Sequence, residues 1–540
     1  MTASVTTPVP EVVRRASSPA PPVPKAAPRL STRAARTLLG PAAMPAAVGA
    51  AVMAALAAGA VLRFADLDAV GYNSDEAVYA GQAASLAGDP DLIPYFPVFR
   101  AHPLLFQTVL SLAFQDGVSD VGGRALGAFL GVATVLVTYL LGRELYGAAA
   151  GALAALVMAC MPYHVVVTRQ VLLDGPMTLW ATVTLLMLAR YARTGHAAFL
   201  YAGGGSLGLA MLSKETSVIL LGAAYAFFAL TPSIRLRVRA LLGAGLVWLA
   251  TLLAFPVSMV LAGSVDTGGS FLAWQLLRRP NHTMDFYVTT VPAAVGWGTL
   301  LAGGAGLWWL RSQGSWRETL LLCWISVPAL FFQAWPTKGF QYLLPIAPAL
   351  AVLAARALVG LPELLLRRWP TRHVVIRCGA AVAAGALLVS LALPSWARTH
   401  VSGGSTFLAG SGGVPGGREA GLWIRQHVPV GSRLLTVGPS MANILQFYGH
   451  RRAYGLSVSP NPLHRNPVYE PVPNPDLMIR HNDLQYLVWD SFSAGRSPFF
   501  SQKLMRYVAR YHGRVVHTEI VTAAAGGAPR PVIVIYEVRP

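Results

Sequence analysis

Gly71-Tyr72-Asn73-Ser74-Asp75-Glu76-Ala77-Val78-Tyr79 sets two adjacent carboxylates just beyond the first long apolar run of the chain. That run, near residues 42–64, is long enough to cross roughly 30 Å of hydrocarbon. Acids are scarce here, so a pair where an apolar helix meets water marks a site of chemistry. Further apolar stretches lie near 122–142, 148–168, 175–192, 198–212, 217–231, 241–262, 292–310, 319–335, 341–360 and 376–396. The sequence therefore reads as an α-helical polytopic membrane protein with about eleven transmembrane helices. Composition agrees: 54% of the 540 residues are hydrophobic and 12% charged.

Basic residues orient the expected spans, because Lys and Arg in short loops stay on the cytoplasmic side. Residues 1–41 hold Arg14, Arg15, Lys25, Arg29, Arg33 and Arg36 and are rich in Pro, Ala and Ser, so they read as a disordered cytoplasmic arm. Arg143, Arg190, Arg193, Arg235, Arg237, Arg239, Arg311, Arg317, Arg367, Arg368 and Arg372 fall in the alternate loops assigned to the same side. Most acids before residue 395 fall in or beside the opposite loops, so the working face is expected outside. The net charge of +19 then fits anionic lipid headgroups, with no nucleic acid as partner. Cys160, Cys323 and Cys378 sit within apolar runs at no close spacing, as small hydrophobes would.

The transmembrane domain is expected over 42–396, with a long outer loop at 65–121. Ala77–Leu86 and Leu104–Ala113 within that loop read as amphipathic helices along the membrane surface. After a Gly- and Ser-rich linker at 397–417, residues 418–540 read as a small extracytoplasmic α/β domain. Its helices are expected at Arg418–His427, Met441–Tyr448 and Pro498–Tyr511, and its strands at Arg433–Val437, Leu484–Trp489, Val515–Val521 and Val532–Val538. It lacks the glycine-rich loops of nucleotide sites. Its aromatic and polar loop, Tyr454 to Asn474, suits either an acceptor glycan or a cap on the outer loops.

Ser74-Asp75-Glu76-Ala77-Val78-Tyr79, then Ala101-His102-Pro103-Leu104, then Thr168-Arg169-Gln170-Val171-Leu172-Leu173-Asp174 resembles the succession of motifs in protein O-mannosyltransferases. In looser form it is similar to the bacterial transferases that add aminoarabinose to lipid A. Both are membrane glycosyltransferases of the C superfold, and the resemblance covers about residues 50–360. It implies an inverting transferase in the plasma membrane that moves a hexosyl or pentosyl group from a polyprenyl-phosphate carrier to a protein, lipid or polysaccharide acceptor of the envelope. Leu104, Phe106 and Gln107 depart from the mannosyltransferase pattern, and no trefoil domain is inserted.

Moving a sugar from a lipid phosphate to a hydroxyl requires a base within hydrogen-bond reach of that hydroxyl. Asp75 is the candidate, against a helix-capping role, and Glu76 is its catalytic neighbour or a cap. The departing phosphate requires cations. Arg124, Lys214 and Lys338 match basic positions of the families named above and are expected to bind it; the alternatives are snorkelling and, for Lys214, pairing with Glu215. Arg169 and Asp174 are expected to form a supporting ion pair. Tyr342, in the Lys338-x-x-x-Tyr342 stretch, and His102 complete the supporting set. Metal ligation is unknown, and the acids near His102 leave a divalent cation as a conceivable cofactor. A flippase or transporter of lipid-linked sugars, or a non-catalytic envelope assembly protein, are the competing classes; a transporter is expected to carry midplane charges and inverted repeats.

Overall fold

The computed structural model describes residues 43–98, 103–263, 265–400, 415–521 and 528–540. The basic arm, His102 and residues 401–414 of the linker lie outside them.

Every apolar run read from the sequence is helical. Five helices among the described residues are long and apolar enough to cross a membrane, namely Pro45–Phe64, Asp120–Tyr146, Val238–Leu261, Phe340–Arg368 and Pro370–Thr399. Ala148–Cys160 and Pro162–Thr168, bent by 60°, make a sixth if counted as one span. Other runs yield shorter apolar helices, such as Ala197–Ser213 and Phe286–Val295. Length and composition thus support fewer spans than the sequence reading expected, because several runs are broken by turns.

In chain order, the elements that build the site are α1 (Ala43–Phe64), α2 (Ser74–Ala87), α3 (Leu105–Ala113), α4 (Asp120–Tyr146), α5 (Ala148–Cys160), α6 (Pro162–Thr168), α7 (Asp174–Thr194) and α8 (Ala197–Ser213). The α5–α6 bend leaves carbonyls without helical partners, which must be satisfied locally. Arg63, fully buried at the end of α1, supplies donors to Met158 O and Ala159 O at the bend and to Thr168 Oγ1, and contacts His164 Nδ1 at 2.7 Å. This ties α1 to the bend and to α6, whose end leads into the 169–173 turn before α7. Gly127 of α4 makes room for that segment: a Cβ there would stand 2.7 Å from Gln170 O. Alanine would push α4 off the loop that carries the third motif.

The region after 415 contains a five-stranded sheet, β1 (Arg433–Thr436), β2 (Arg452–Gly455), β3 (Tyr486–Asp490), β4 (Arg514–Val521) and β5 (Arg530–Glu537), in the order β2-β1-β3-β5-β4. β1 pairs in parallel with β2 and β3, whereas β5 runs antiparallel to β3 and β4. The helix α9 (Gly417–His427) packs against α10 (Pro439–Gly449), which connects β1 to β2. Four strands and three helices fall where the sequence placed them. β2 is not among the expected strands, and its second half, Tyr454-Gly455, opens the expected loop: Arg452-Ala453-Tyr454-Gly455 is too short to stand out, and pairing with β1 makes it a strand.

The sheet is packed into the rest of the molecule. Ala77, Ala80, Ala84 and Phe96 of the 65–121 loop share one apolar cluster with Ile424, Ile444, Phe447 and Ile535. Polar clasps rim it. Tyr448 Oη donates to Asp120 Oδ2 at 2.7 Å and accepts from Tyr72 N at 2.7 Å, and Arg418 reaches Asp120 at 3.2 Å. On the other side Asp91 meets Arg425 and His450. Both expected amphipathic helices, α2 and α3, therefore bury one face against protein.

Candidate active site

The acid pair begins α2, and its two members have opposite fates. Asn73 is the N-cap: its side chain accepts from Glu76 N at 3.0 Å, while Glu76 Oε2 accepts from Asn73 N at 3.1 Å, a reciprocal capping box. Glu76 is fully buried, and Arg124 donates from Nε to Oε1 and from Nη2 to Oε2, each at 2.8 Å. Val171 N supplies the remaining bond, to Oε1 at 3.1 Å. A carboxylate has about four acceptor sites, and all of Glu76's are taken. The catalytic role expected for Glu76 is corrected accordingly: it has no lone pair left for a substrate proton. Its position three residues into the helix, where it can reach the N-cap, decides this.

Arg124 is corrected in the same way. A guanidinium has five donors, and the other three go to Leu67 O, Val70 O and Gly71 O at 2.6–3.0 Å. Nothing is left to hold a phosphate. Arg124 instead fastens the 67–71 turn and α2 to α4. Asn73 Nδ2 adds a bond to Gln170 Oε1 at 2.8 Å, so the first and third motifs meet directly.

Asp75 follows the cap, partly exposed on the first turn of α2. Tyr79, one turn on and on the same face, has its hydroxyl pushed well above the ordinary tyrosine value by burial and then by the charges of Asp75, Asp174 and Glu215. Asp75 and Glu215 also act electrostatically on Asp174, so three carboxylates share one neighbourhood. Lys214 stands among them. Its Nζ donates to both Asp174 oxygens at 2.9 Å and lies 4.7 Å from the Tyr342 ring centre. The sequence reading paired Asp174 with Arg169. The structure gives it Lys214, delivered by the turn that ends α8, while Arg169 donates to Leu62 O, Arg63 O, Asp66 O and Thr399 O.

Lys338 is buried behind the same stretch. Its ammonium donates to Gln333 O at 2.8 Å and Trp335 O at 3.1 Å, at the end of the helix Trp316–Ala334, and lies 5.7 Å from the Tyr287 ring centre. Gly339 lets Tyr342 lie close: a Cβ would meet its ring at 2.7 Å. Lys214 and Lys338 each engage two of three ammonium donors in these bonds, unlike Arg124. Asp174, Lys214 and Tyr342 come together as one group, with Asp75 near enough to act electrostatically on Asp174; Lys338 lies against Tyr287, and Arg169 serves carbonyls of Leu62, Arg63, Asp66 and Thr399. His102 lies outside the described residues. Among those residues no group of three or more His, Cys, Asp or Glu is disposed to hold a metal ion.

Sequence reading missed Tyr79, Asn73 and Gln170. Tyr79 could have been found from its i+4 spacing to Asp75. The other two show only when the motifs are folded together. Glu215 was noted solely as a partner for Lys214.

Residues 101–261 match the family described as dolichyl-phosphate-mannose-protein mannosyltransferase. The undecaprenyl phosphate-alpha-4-amino-4-deoxy-L-arabinose arabinosyl transferase of Pectobacterium carotovorum is 26% identical over 253 residues, 43% of this chain. The match spans about half of that relative's length, 46%. In fold, the apo crystal structure of ArnT from Cupriavidus metallidurans covers 92% of this chain and 98% of its own, with a TM-score of 0.65 at 15% identity. An Archaeoglobus fulgidus oligosaccharyltransferase covers 90% of this chain and 74% of its own, with a TM-score of 0.58 at 14% identity. The fold is that of the membrane glycosyltransferases of the C superfold. Within it the chain resembles the protein O-mannosyltransferase and lipid A aminoarabinose transferase group, as its motifs imply.

Proposed function

We propose that the chain is an inverting glycosyltransferase of the plasma membrane. It takes a hexosyl or pentosyl group from a polyprenyl-phosphate carrier and delivers it to an envelope acceptor at the outer face, with the amino terminus cytoplasmic and the sheet domain outside. The observation that carries this reading is the position of Asp75: a carboxylate on a helix start fixed by the Asn73, Glu76 and Arg124 bonds, within electrostatic reach of Asp174, which pairs with Lys214. A related fold bound to undecaprenyl phosphate supports the donor class.

Asp75 takes the proton of the acceptor hydroxyl as its oxygen attacks the anomeric carbon. The bond from that carbon to the phosphate oxygen breaks, its electron pair leaves with the lipid phosphate, and attack from the opposite face inverts the anomer. The phosphate gains charge in a site where fixed cations act strongly. Lys214 and Lys338 have a donor to give; Arg124 keeps the base in place.

The test compares envelope lipids and glycans by mass spectrometry with and without the protein, beside undecaprenyl phosphate binding by the purified chain. An unchanged envelope together with no lipid binding would remove the transferase reading.

A further inference from the structure

A polar cleft of about 270 Å³ lies where the 65–121 loop meets the sheet domain. Tyr95 stands on the loop side, with Asn443, Gln446, Tyr454, Tyr469 and Glu470 opposite. Its two walls are joined by hydrogen bonds. Arg452 donates to Pro94 O at 3.1 Å, and Tyr95 Oη donates to His450 O at 2.7 Å, so both sides are pinned across the opening. Gln446 is 6% exposed, and its Oε1 accepts from Ala453 N, which leaves the amide nitrogen as a donor toward the cleft. Asn443 Nδ2 donates to Tyr469 Oη at 3.3 Å and to Ser74 Oγ at 3.0 Å. Ser74 is the residue before Asp75. One side chain therefore belongs both to the cleft wall and to the start of the helix that carries the base.

We infer that this cleft is a saccharide-binding subsite that receives the sugar portion of the acceptor and leads it to Asp75. The inference rests on the transferase reading above. Three tyrosine rings offer apolar faces for sugar C–H groups beside phenolic hydroxyls. The Gln446 amide nitrogen supplies a donor, and the Asn443 amide oxygen and the Glu470 carboxylate supply acceptors, the mixture that vicinal hydroxyls require. Arg452 is the one cation among the lining residues and Glu470 the one carboxylate, so the wall carries no net charge to favour a phosphate, and polar side chains interrupt its Pro, Ala and Val residues, unlike the lining an acyl chain needs. The volume is close to the lower bound for small-molecule pockets, about 300 Å³, which suits one or two sugar units. Because the walls come from the outer loop and the sheet domain together, neither part holds the subsite alone.

The experiment uses the full-length protein in detergent and saturation-transfer NMR with the methyl glycosides of mannose, arabinose, galactose and N-acetylglucosamine as probes. Undecaprenyl phosphate binding is measured on the same samples. Gln446→Glu keeps the acceptor for Ala453 N and removes the amide donor; Tyr454→Ala removes one ring. At least one glycoside should bind the native chain at millimolar concentration, and each variant should weaken it by about fivefold or more, with lipid binding unchanged. Absence of transfer to all four glycosides, or equal transfer in both variants while they still bind lipid, overturns the inference. Should either variant lose lipid binding through misfolding, Tyr454→Phe and Asn443→Asp serve in its place under the same two criteria. Loss of undecaprenyl phosphate binding by the native chain strikes the donor assignment instead, and glycoside binding is read separately from it.

Discussion

Glu76 and Arg124 are joined by two parallel bonds of 2.8 Å, with side chains 0% and 4% exposed. Such a pair is weak evidence for net stability, because both charges lose their hydration. Its value is geometric: it fixes the direction of the first turn of α2, where Asp75 sits.

Removing one partner should therefore be far worse than removing a surface charge. Arg124→Gln leaves Glu76 buried without a counter-charge and is expected to cost about 3–5 kcal/mol, seen as a lower thermal midpoint and faster proteolysis, with transfer lost through a displaced Asp75. If Arg124→Gln keeps native stability and loses only lipid binding, Arg124 is a phosphate ligand after all.

Asp75→Asn should behave in the opposite way. The side chain keeps its size and the cap belongs to Asn73, so stability and undecaprenyl phosphate binding are expected to stay within about 0.5 kcal/mol of native. Turnover should fall by about 100-fold or more. Near-native turnover of the purified variant removes Asp75 from the mechanism.

Lys214 and Asp174 form a buried pair whose members can be removed together. Lys214→Met alone strands a carboxylate and is expected to destabilise by about 3–5 kcal/mol, while Lys214→Met with Asp174→Asn should recover most of that loss. Transfer should stay low in both, because the cation is gone. A double variant that regains turnover along with stability would show the pair to be structural only.

Asp490 gives the sheet domain a pH dependence of its own. It caps the turn Ser491–Arg496, accepting from Ser493 N at 2.7 Å, yet its other oxygen has no hydrogen-bond partner, and burial pushes the carboxyl up to about 6. A folded pKa above the unfolded one means the folded state binds more protons across that interval. Stability from this group is fully present below the ordinary carboxylate value near 3.8 and is lost as pH rises through about 6, by about 3 kcal/mol in total. Asp490→Asn, which still can cap, should flatten the profile between about pH 4 and 6 on the scale of that effect. Denaturant unfolding followed across this range checks it; an unchanged slope in the variant assigns the dependence elsewhere.

Topology is tested by labelling. Cysteines at Ile93 and Arg506, both exposed, should react with an impermeant thiol reagent on intact cells, and one at Ser233 should not. The background must lack Cys378, which is exposed, as well as buried Cys160 and Cys323. Reaction at Ser233 in sealed cells inverts the proposed orientation.

Periodicity and composition made most of the helices legible, because an apolar run of twenty residues has few other ways to satisfy its backbone. The acid pair was legible too, as an anomaly of placement. Who bonds to whom was not. Arg169 precedes Asp174 by five residues and looked like its partner, but the Pro162–Thr168 turn aims Arg169 back at carbonyls of α1, and Lys214 arrives from a chain segment forty residues away. Arg124 was seen as a cation at a helix start; that its donors are all engaged depends on the path of residues 67–71, which no local pattern encodes. Arg63 left no signal beyond being a charge inside an apolar run, since the carbonyls it serves belong to a bend nearly a hundred residues later.

The apolar cluster that unites Ala77, Ala80 and Phe96 with Ile424, Ile444 and Ile535 also bears on the order of assembly. The first of these segments leaves the ribosome more than three hundred residues before α10 does, so contacts of such long sequence separation form late. Until α10 is made, α2 has one face unpacked, Ser74 lacks its bond to Asn443 and the backbone N–H of Tyr72 lacks Tyr448. A product cut short before α10 carries every motif of the first half without the support that aligns the acid helix.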